Sequence, residues 1–414
     1  MRVAERILRS ELLPEGSESS ASASPPLAGC AADPVCEVNL AAVEHNLNVL
    51  RSRLQSRTGV IAVVKADAYG HGAVQVAGRL AQSGVQNFAV ATVSEGAELR
   101  EGGISGSIIV LVPALPSDME VALRYRLTAS LGSLKEAKLL SALAAHMGLK
   151  ARAHLMIDTG LRRGGFLPSE LPEALAVIRT LPSLEITGAW GHFATVTPLR
   201  EARSVVACFR QAASVVLRFF PNATLHLASS LAAWLLPESH FDFIRPGLGL
   251  YGYLPGRTET PAFRPALRLK APVIAVKRYP AGTAVSYEGT YRLKCESTIV
   301  TLRCGYADGY PFQLSNTGFV VIRGKRCPVA GRVTMDQLLV DVGDAPIEVG
   351  ETATVLGPPG LLFSEAASRA GTIPYTILTA AGRRVRRVFV EDFALRGPAE
   401  PIAADCSAGR VQER

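Results

Sequence analysis

The sequence predicts an α/β chain: an N-terminal (β/α)8 barrel of the TIM type followed by a mainly β C-terminal domain. Three observations carry that expectation. Between residues 60 and 244, eight apolar strand candidates alternate with helical patterns, the rhythm of βα units around a parallel sheet. Chemically capable polar residues (Lys65, Arg163, His192, Ser229, Ser230 and Arg245) follow the C-terminal ends of these runs. Barrel active sites gather at that face from several strand ends at once, which favours a barrel over a doubly wound sheet of the same rhythm. After about residue 270 the chain changes to short β-rich runs separated by Gly, Pro and Asp, which reads as a second domain.

The elements follow in order. Asn39 is placed to cap a helix in which Leu40, Val43, Leu47, Leu50 and Leu54 recur at helical spacing. Barrel strands are expected at 60–64, 88–92, 108–112, 127–130, 151–157, 186–191, 224–228 and 243–244. Helices between them are expected at 73–83, 94–101, 134–146, 171–180 and 203–219. The β-rich runs of the second domain are 271–276, 298–302, 318–322, 338–342, 353–356 and 385–390. The expected partition is a leader over 1–35, the barrel over 36–270, the β domain over 271–397 and a flexible tail over 398–414. The stretch Glu15-Gly16-Ser17-Glu18-Ser19-Ser20 gives the leader the composition of a disordered segment.

A chain of 414 residues, 48% hydrophobic and 19% charged, fits a globular enzyme with a sizeable core. No apolar run is long enough to span a membrane, and residues 1–26 lack the apolar segment of a secretory signal. The seven cysteines are odd in number, scattered and without C-x-x-C spacing. They read as reduced thiols of a cytoplasmic protein, with neither a disulfide framework nor a metal site. The formal charge is +8, and the densest basic run is Arg383-Arg384-Val385-Arg386-Arg387. No nucleic-acid-binding motif accompanies it, so it is expected to be a solvated strand face, with neither nucleic acid nor membrane as partner.

The most informative residue is Lys65, in Val63-Val64-Lys65-Ala66-Asp67-Ala68-Tyr69-Gly70-His71-Gly72 at the end of an apolar run. Burial disfavours an ammonium, and the neutral amine it leaves is a nucleophile toward aldehydes. Gly70 and Gly72 allow a tight turn near a ligand, and Tyr69 offers a hydroxyl to a phosphate. This segment resembles the pyridoxal-phosphate (PLP) lysine motif of the alanine racemases, V-K-A-N/D-A-Y-G-H-G. The resemblance extends from about Cys36 to about Phe393, with further motifs in the family's order.

The resemblance implies a PLP-dependent enzyme that interconverts L-alanine and D-alanine by a two-base mechanism and supplies D-alanine for peptidoglycan. Lys65 would hold PLP and serve as base for the D-enantiomer. Tyr287, in Val285-Ser286-Tyr287-Glu288, would be the base for the L-enantiomer on the opposite face. A phenol ordinarily titrates near pH 10, so a positive neighbourhood is needed; His192 and Arg245 match the family's relay to that tyrosine. Arg245 would also donate to the PLP ring nitrogen, keeping it unprotonated because arginine offers no acceptor. Tyr69, Ser230, the backbone around Gly247 and Leu248, and Tyr375 match the phosphate cradle, with Ser229 beside them. Arg163 matches the arginine near the PLP phenolic oxygen and the substrate carboxylate, with Arg162 as its neighbour should the register slip by one. Gly305-Tyr306-Ala307-Asp308-Gly309-Tyr310 and Gly331-Arg332-Val333-Thr334-Met335-Asp336-Gln337 resemble two further family motifs. Through them Tyr306, Met335 and Asp336 would meet the substrate. In the family these residues and Tyr287 reach the other subunit's site, implying a homodimer with shared active sites.

The chain departs from the family's pattern beside the substrate. Met156 stands where many relatives carry a lysine, often carbamylated. Gly164 replaces a larger aliphatic, Thr334 a cysteine, Ser229 an asparagine and Glu288 a glycine. Two alternatives therefore stay open: a racemase of another small amino acid, with serine foremost, and a non-catalytic PLP-binding protein.

Overall fold

The computed structural model describes residues 33–256, 261–382, 384–393 and 400–401. Most of the expected leader and tail, and Arg383 of the basic run, lie outside the described residues.

The described residues open with β1 (Val35–Asn39), whose last residue caps the helix Leu40–Arg51 by accepting the Ala42 N–H at 2.7 Å. Eight parallel strands follow: β2 (Gly59–Val63), β3 (Asn87–Val90), β4 (Ser107–Val110), β5 (Ala129–Leu131), β6 (Ala151–Met156), β7 (Leu184–Trp190), β8 (Thr224–Ser229) and β9 (Phe243–Arg245). Their order in the sheet is β4-β3-β2-β9-β8-β7-β6-β5. Between the two ends, Val110 N–H donates to the Thr128 carbonyl at 2.9 Å and Thr128 N–H to that of Ile108 at 2.8 Å, which closes the barrel. Helices Ala73–Gln82, Val93–Glu101, Leu134–His146, Leu171–Ile178 and Leu199–Phe219 lie where the periodicity predicts them, the last starting four residues earlier. Helices Pro116–Arg124 and Ser230–Leu235 add to that set. Among the described residues no helix is long and apolar enough to cross a membrane.

The second domain is built on β10 (Leu267–Tyr279), a 13-residue strand that runs through the boundary expected at 270. After it come β11 (Ala284–Val285), β12 (Tyr291–Arg292), β13 (Ser297–Leu302), β14 (Phe319–Ile322), β15 (Lys325–Pro328), β16 (Leu338–Gly343), β17 (Thr352–Leu356), β18 (Arg386–Val390) and β19 (Glu400–Pro401). Strands β16, β13, β10, β17, β14, β15 and β19 pair in that order. β1 pairs antiparallel with β10 and parallel with β18, so this N-terminal strand belongs to the second domain's sheet. Its alternation explains why: Cys36 and Val38 bury in the second domain's core, while Glu37 faces Arg268 and Lys270 and pairs with both.

The basic run is not uniformly solvated. Arg384 and Arg386 are both exposed, but Arg384 also binds Asp308 through two hydrogen bonds of 2.6 and 3.0 Å and pairs with Asp336 at 2.7 Å. Arg387 donates to the carbonyls of Val385, Ala381 and Gly70, the last belonging to the barrel's lysine segment. Buried carbonyls and a buried Asp308 needed donors that only the fold brings near.

Candidate active site

Lys65 stands two residues past β2 and opens a backbone turn of unusual hand. Ala66, Asp67, Ala68 and Tyr69 have φ of 51–56° and ψ of 40–53°, one turn of left-handed helix. Each non-glycine residue there costs roughly 1–2 kcal/mol, so the turn persists only where its surroundings hold it. They do so on several sides. Ala66 N–H donates to Glu95 Oε1 at 2.7 Å, and Asp67 Oδ1 accepts from Ala73 N–H at 2.8 Å. Arg387 reaches the Gly70 carbonyl at 3.2 Å. A Cβ on Gly70 would lie 2.3 Å from the Leu378 carbonyl oxygen, so the helix Pro374–Leu378 of the second domain packs directly on the turn. Lys65 itself is half-buried. Desolvation, then the Arg163 and Arg245 cations, draw its pKa below the ordinary lysine value, and Glu95 opposes the shift.

Arg245, at the end of β9, is the hub of the barrel mouth. Its guanidinium donates to the carbonyls of His226 (2.7 Å) and Gly191 (2.7 Å), and meets His226 Nδ1 at 2.9 Å and His192 Nδ1 at 3.3 Å. It also sits 5.2 Å from the Trp190 ring centroid. Burial and the Arg163 cation lower its pKa to about 9, so near neutrality it remains a cation that can only donate. Both histidines must therefore accept at Nδ1 and carry their protons on Nε2. His226 Nε2 then donates to His154 Nδ1 at 2.8 Å, extending the array inward. Burial, with Arg245 next, holds His192 and His154 at pKa values of about 3 and His226 well below its usual value.

Neither His154 nor His226 was among the sequence-predicted site residues. The available signal was a histidine at an interior position of an apolar strand run in both β6 and β8; each needed a polar partner inside the barrel.

A second cluster joins three elements. Ser230 Oγ accepts the N–H groups of Gly247 and Gly249, both at 3.0 Å. A Cβ on Gly247 would lie 2.4 Å from the Tyr69 hydroxyl, so only glycine fits. Tyr375 brings its ring to 5.9 Å from that of Tyr69, and Tyr251 packs at 4.9 Å on it. Leu248 is buried at the start of the 3-10 turn Leu248–Tyr251, and Ser229 is half-buried ahead of the helix Ser230–Leu235.

The loop after β6 places Arg162 and Arg163 differently. Arg162 pairs with Asp158, whose Oδ1 also accepts the Gly160 and Arg162 N–H groups at 2.8 and 3.2 Å. Arg163 is exposed at a small cleft lined by Met156, Asp158, Trp190 and His192, and makes no hydrogen bond or ion pair among the described residues. Met156 is buried, and its Cε would lie 3.1 Å from a Cβ on Gly164; an aliphatic side chain there would press on it. The two positions expected to depart from the family pattern, 156 and 164, thus lie beside each other.

Tyr287, Tyr306 and Met335 lie on the surface. All three belong to the second domain and are 69%, 44% and 53% exposed, respectively. The segments carrying Tyr306 and Met335 bind one another: Tyr306 N–H donates to the Thr334 carbonyl and Ala307 N–H to that of Met335, both at 3.0 Å. The Tyr287 loop is tied to the same segment, since Ser286 Oγ donates to the Arg332 carbonyl at 2.7 Å and Glu288 pairs with the Arg332 guanidinium. Glu288 has a φ of 61°, a conformation that glycine adopts more cheaply. The carboxylate of Asp336 is engaged by Arg384.

The profile described as "Alanine racemase, N-terminal domain" matches residues 38–255, and that described as "Alanine racemase, C-terminal domain" matches residues 266–389. An alanine racemase of Methylacidiphilum infernorum is 37% identical over 358 residues, 85% of this chain and 91% of the relative. Among solved structures, the alanine racemase of Clostridium difficile 630 superposes with a TM-score of 0.82 at 32% identity, covering 86% of this chain and 96% of the other. That of Bartonella henselae, solved with covalently bound pyridoxal phosphate, gives a TM-score of 0.77 at 27% identity, covering 87% of this chain and all of the other. With both family domains matched and the fold in common, this chain belongs to the alanine racemase family.

Proposed function

We propose that this chain interconverts L-alanine and D-alanine with PLP held on Lys65, acting in the cytoplasm as a homodimer whose sites are each completed by the other copy. The D-alanine formed would supply peptidoglycan synthesis. The observation that carries the reading is the convergence of Lys65, Arg245, His192 and the Tyr69–Gly247 close approach at adjoining strand ends of a family barrel. The residues fit the cofactor. Lys65 is an amine with a lowered pKa, and the Gly247 backbone lies so close to the Tyr69 hydroxyl that a Cβ would strike it. Tyr69, Ser230, Gly247, Leu248 and Tyr375 would hold the phosphate, with Ser229 alongside; Arg245 would face the ring nitrogen and Arg163 the phenolic oxygen.

When bound, PLP supplies an electron sink that makes the substrate's Cα proton removable. The chain's residues manage that proton. Lys65 Nζ, whose pKa burial and two cations lower, takes it from or returns it to one face. Tyr287 of the second copy serves the other face through its phenol oxygen. His192, fixed by Arg245 as the Nε2–H tautomer, has a donor to offer a phenolate, and Arg245 adds positive charge behind it. The carboxylate of the substrate would meet Arg163 and the Met335 backbone, with Tyr306 at the entrance and Asp336 behind.

The experiment is incubation of purified protein with L-alanine, L-serine and L-lysine, with product enantiomers resolved by chiral chromatography. D-alanine is expected as the dominant product. Formation of no D-amino acid from any of the three would overturn the catalytic reading, and equal rates on serine would overturn the alanine assignment.

A further inference from the structure

We propose that Glu95 is a positioning residue for Lys65, its carboxylate tethering the left-handed turn that carries the lysine to the neighbouring barrel strand. The inference rests on Lys65 being the cofactor lysine, and it grows from a comparison inside the barrel. Two βα units of the barrel, those of β3 and β5, start their helices with the same capping box. In one, Thr92 Oγ1 accepts the Glu95 N–H, and Glu95 Oε2 accepts the N–H groups of Ala91 (2.7 Å) and Thr92 (3.2 Å). In the other, Ser133 Oγ accepts the Glu136 N–H, and Glu136 Oε2 accepts those of Gly132 (2.7 Å) and Ser133 (3.2 Å). The helix-start chemistry is the same to within 0.1 Å at both sites.

The difference lies in the second oxygen. No hydrogen bond is recorded to Glu136 Oε1 among the described residues, whereas Glu95 Oε1 accepts the Ala66 N–H at 2.7 Å. Ala66 is the residue after Lys65 and the first of the four in left-handed conformation. A cap alone would not require that reach across 29 residues of sequence. One carboxylate thus ties the strand end of β3, the start of the next helix and the first peptide of the lysine turn together. A charge-assisted bond of this kind is the stronger sort, and it sets where the Lys65 backbone leaves the strand. Glu95 is also the anion that counters Arg163 and Arg245 at the lysine amine.

The test uses full-length holoprotein and two readouts: amide hydrogen exchange of the peptide covering residues 65–70, and the rate at which hydroxylamine bleaches the visible absorbance of lysine-bound PLP. In Glu95→Ala, exchange in 65–70 should accelerate by about tenfold or more and bleaching by about fivefold. Glu95→Gln, with one acceptor oxygen in place of two, should fall between Glu95→Ala and the wild type. Glu136→Ala should lose its cap, and so loosen residues 133–137, while leaving both Lys65 readouts at wild-type values. Should Glu95→Ala fail to fold, Glu95→Asp keeps the charge on a shorter arm and should show the same acceleration. Exchange and bleaching within twofold of wild type in the Glu95 variants, or an equal effect from Glu136→Ala, would overturn the proposal. A wild-type protein without the visible absorbance would instead overturn the cofactor reading, and the exchange comparison would still decide the tether.

Discussion

Lys65 and Tyr287, the two proposed bases, stand in opposite surroundings. The lysine turn is bonded by Glu95, by Arg387 and by its own Asp67, and is pressed by the Leu378 carbonyl. Tyr287 is 69% exposed, although its loop is pinned through the Ser286 and Glu288 side chains to Arg332. One base is finished within a single chain. The other is held ready at the surface with its ring uncovered. On the proposed function, the difference means that a single copy would contain the cofactor half of a site and present the complementary half to another copy. Exposed Tyr306, Phe312, Met335 and Ile373 in the same domain add apolar surface of the kind that copies of a chain bury between them.

The largest expected effect comes from emptying the finished half. Lys65→Ala should remove the visible absorbance of lysine-bound PLP and lower racemisation by at least ~10³-fold, read by spectrum and chiral assay. Next comes the presented half. Tyr287→Phe should slow removal of the L-alanine proton by about 10²–10⁴-fold while leaving the absorbance intact. Unchanged kinetics in Tyr287→Phe would refute the two-base assignment. A subtler break of the first half is Gly247→Ala, whose Cβ would meet the Tyr69 hydroxyl at 2.4 Å. It should weaken PLP affinity by about 10–100-fold, measured by titrating the stripped protein with PLP.

The smallest effect concerns the histidine array behind Arg245. His154 and His192 stay neutral in the folded chain down to about pH 3, against an ordinary 6.5. Below pH 6.5 the unfolded chain binds more protons, so stability that is complete above pH 6.5 drains away as the pH falls toward 3. Each such histidine removes about 1.4 kcal/mol per pH unit across that window. His154→Asn should therefore flatten the fall of Tm between pH 6.5 and 5 by roughly one proton's worth; an unchanged slope would show that the array does not titrate on unfolding.

Much of this was legible in the sequence because it is local. The apolar runs place the barrel strands to within about two residues, and the Lys65, His192 and Arg245 motifs all arrive at the strand ends expected of them. What escaped depends on partners distant in sequence. β1 joins β10 and β18 across more than 200 residues, and no periodicity within five residues encodes that. Arg384 and Arg387 look like solvated charges until Asp308 and the Gly70 carbonyl are brought to them. The left-handed turn is hidden because Ala66, Ala68 and Tyr69 are not residue types that favour positive φ; tertiary contacts impose it. Glu95 reads as a capping residue, and its bond to Ala66 exists only once β2 and β3 are side by side.

The central claim is that Lys65 of one copy works with Tyr287 of another, and mixing two inactive variants tests it most directly. Lys65→Ala and Tyr287→Phe protein should each be nearly inert with L-alanine. After unfolding and refolding them together in equal amounts with PLP, half of the dimers would be mixed, each with one intact site. D-alanine formation should then return to about a quarter of the wild-type rate. No recovery on mixing, with wild-type protein fully active after the same treatment, would contradict the account.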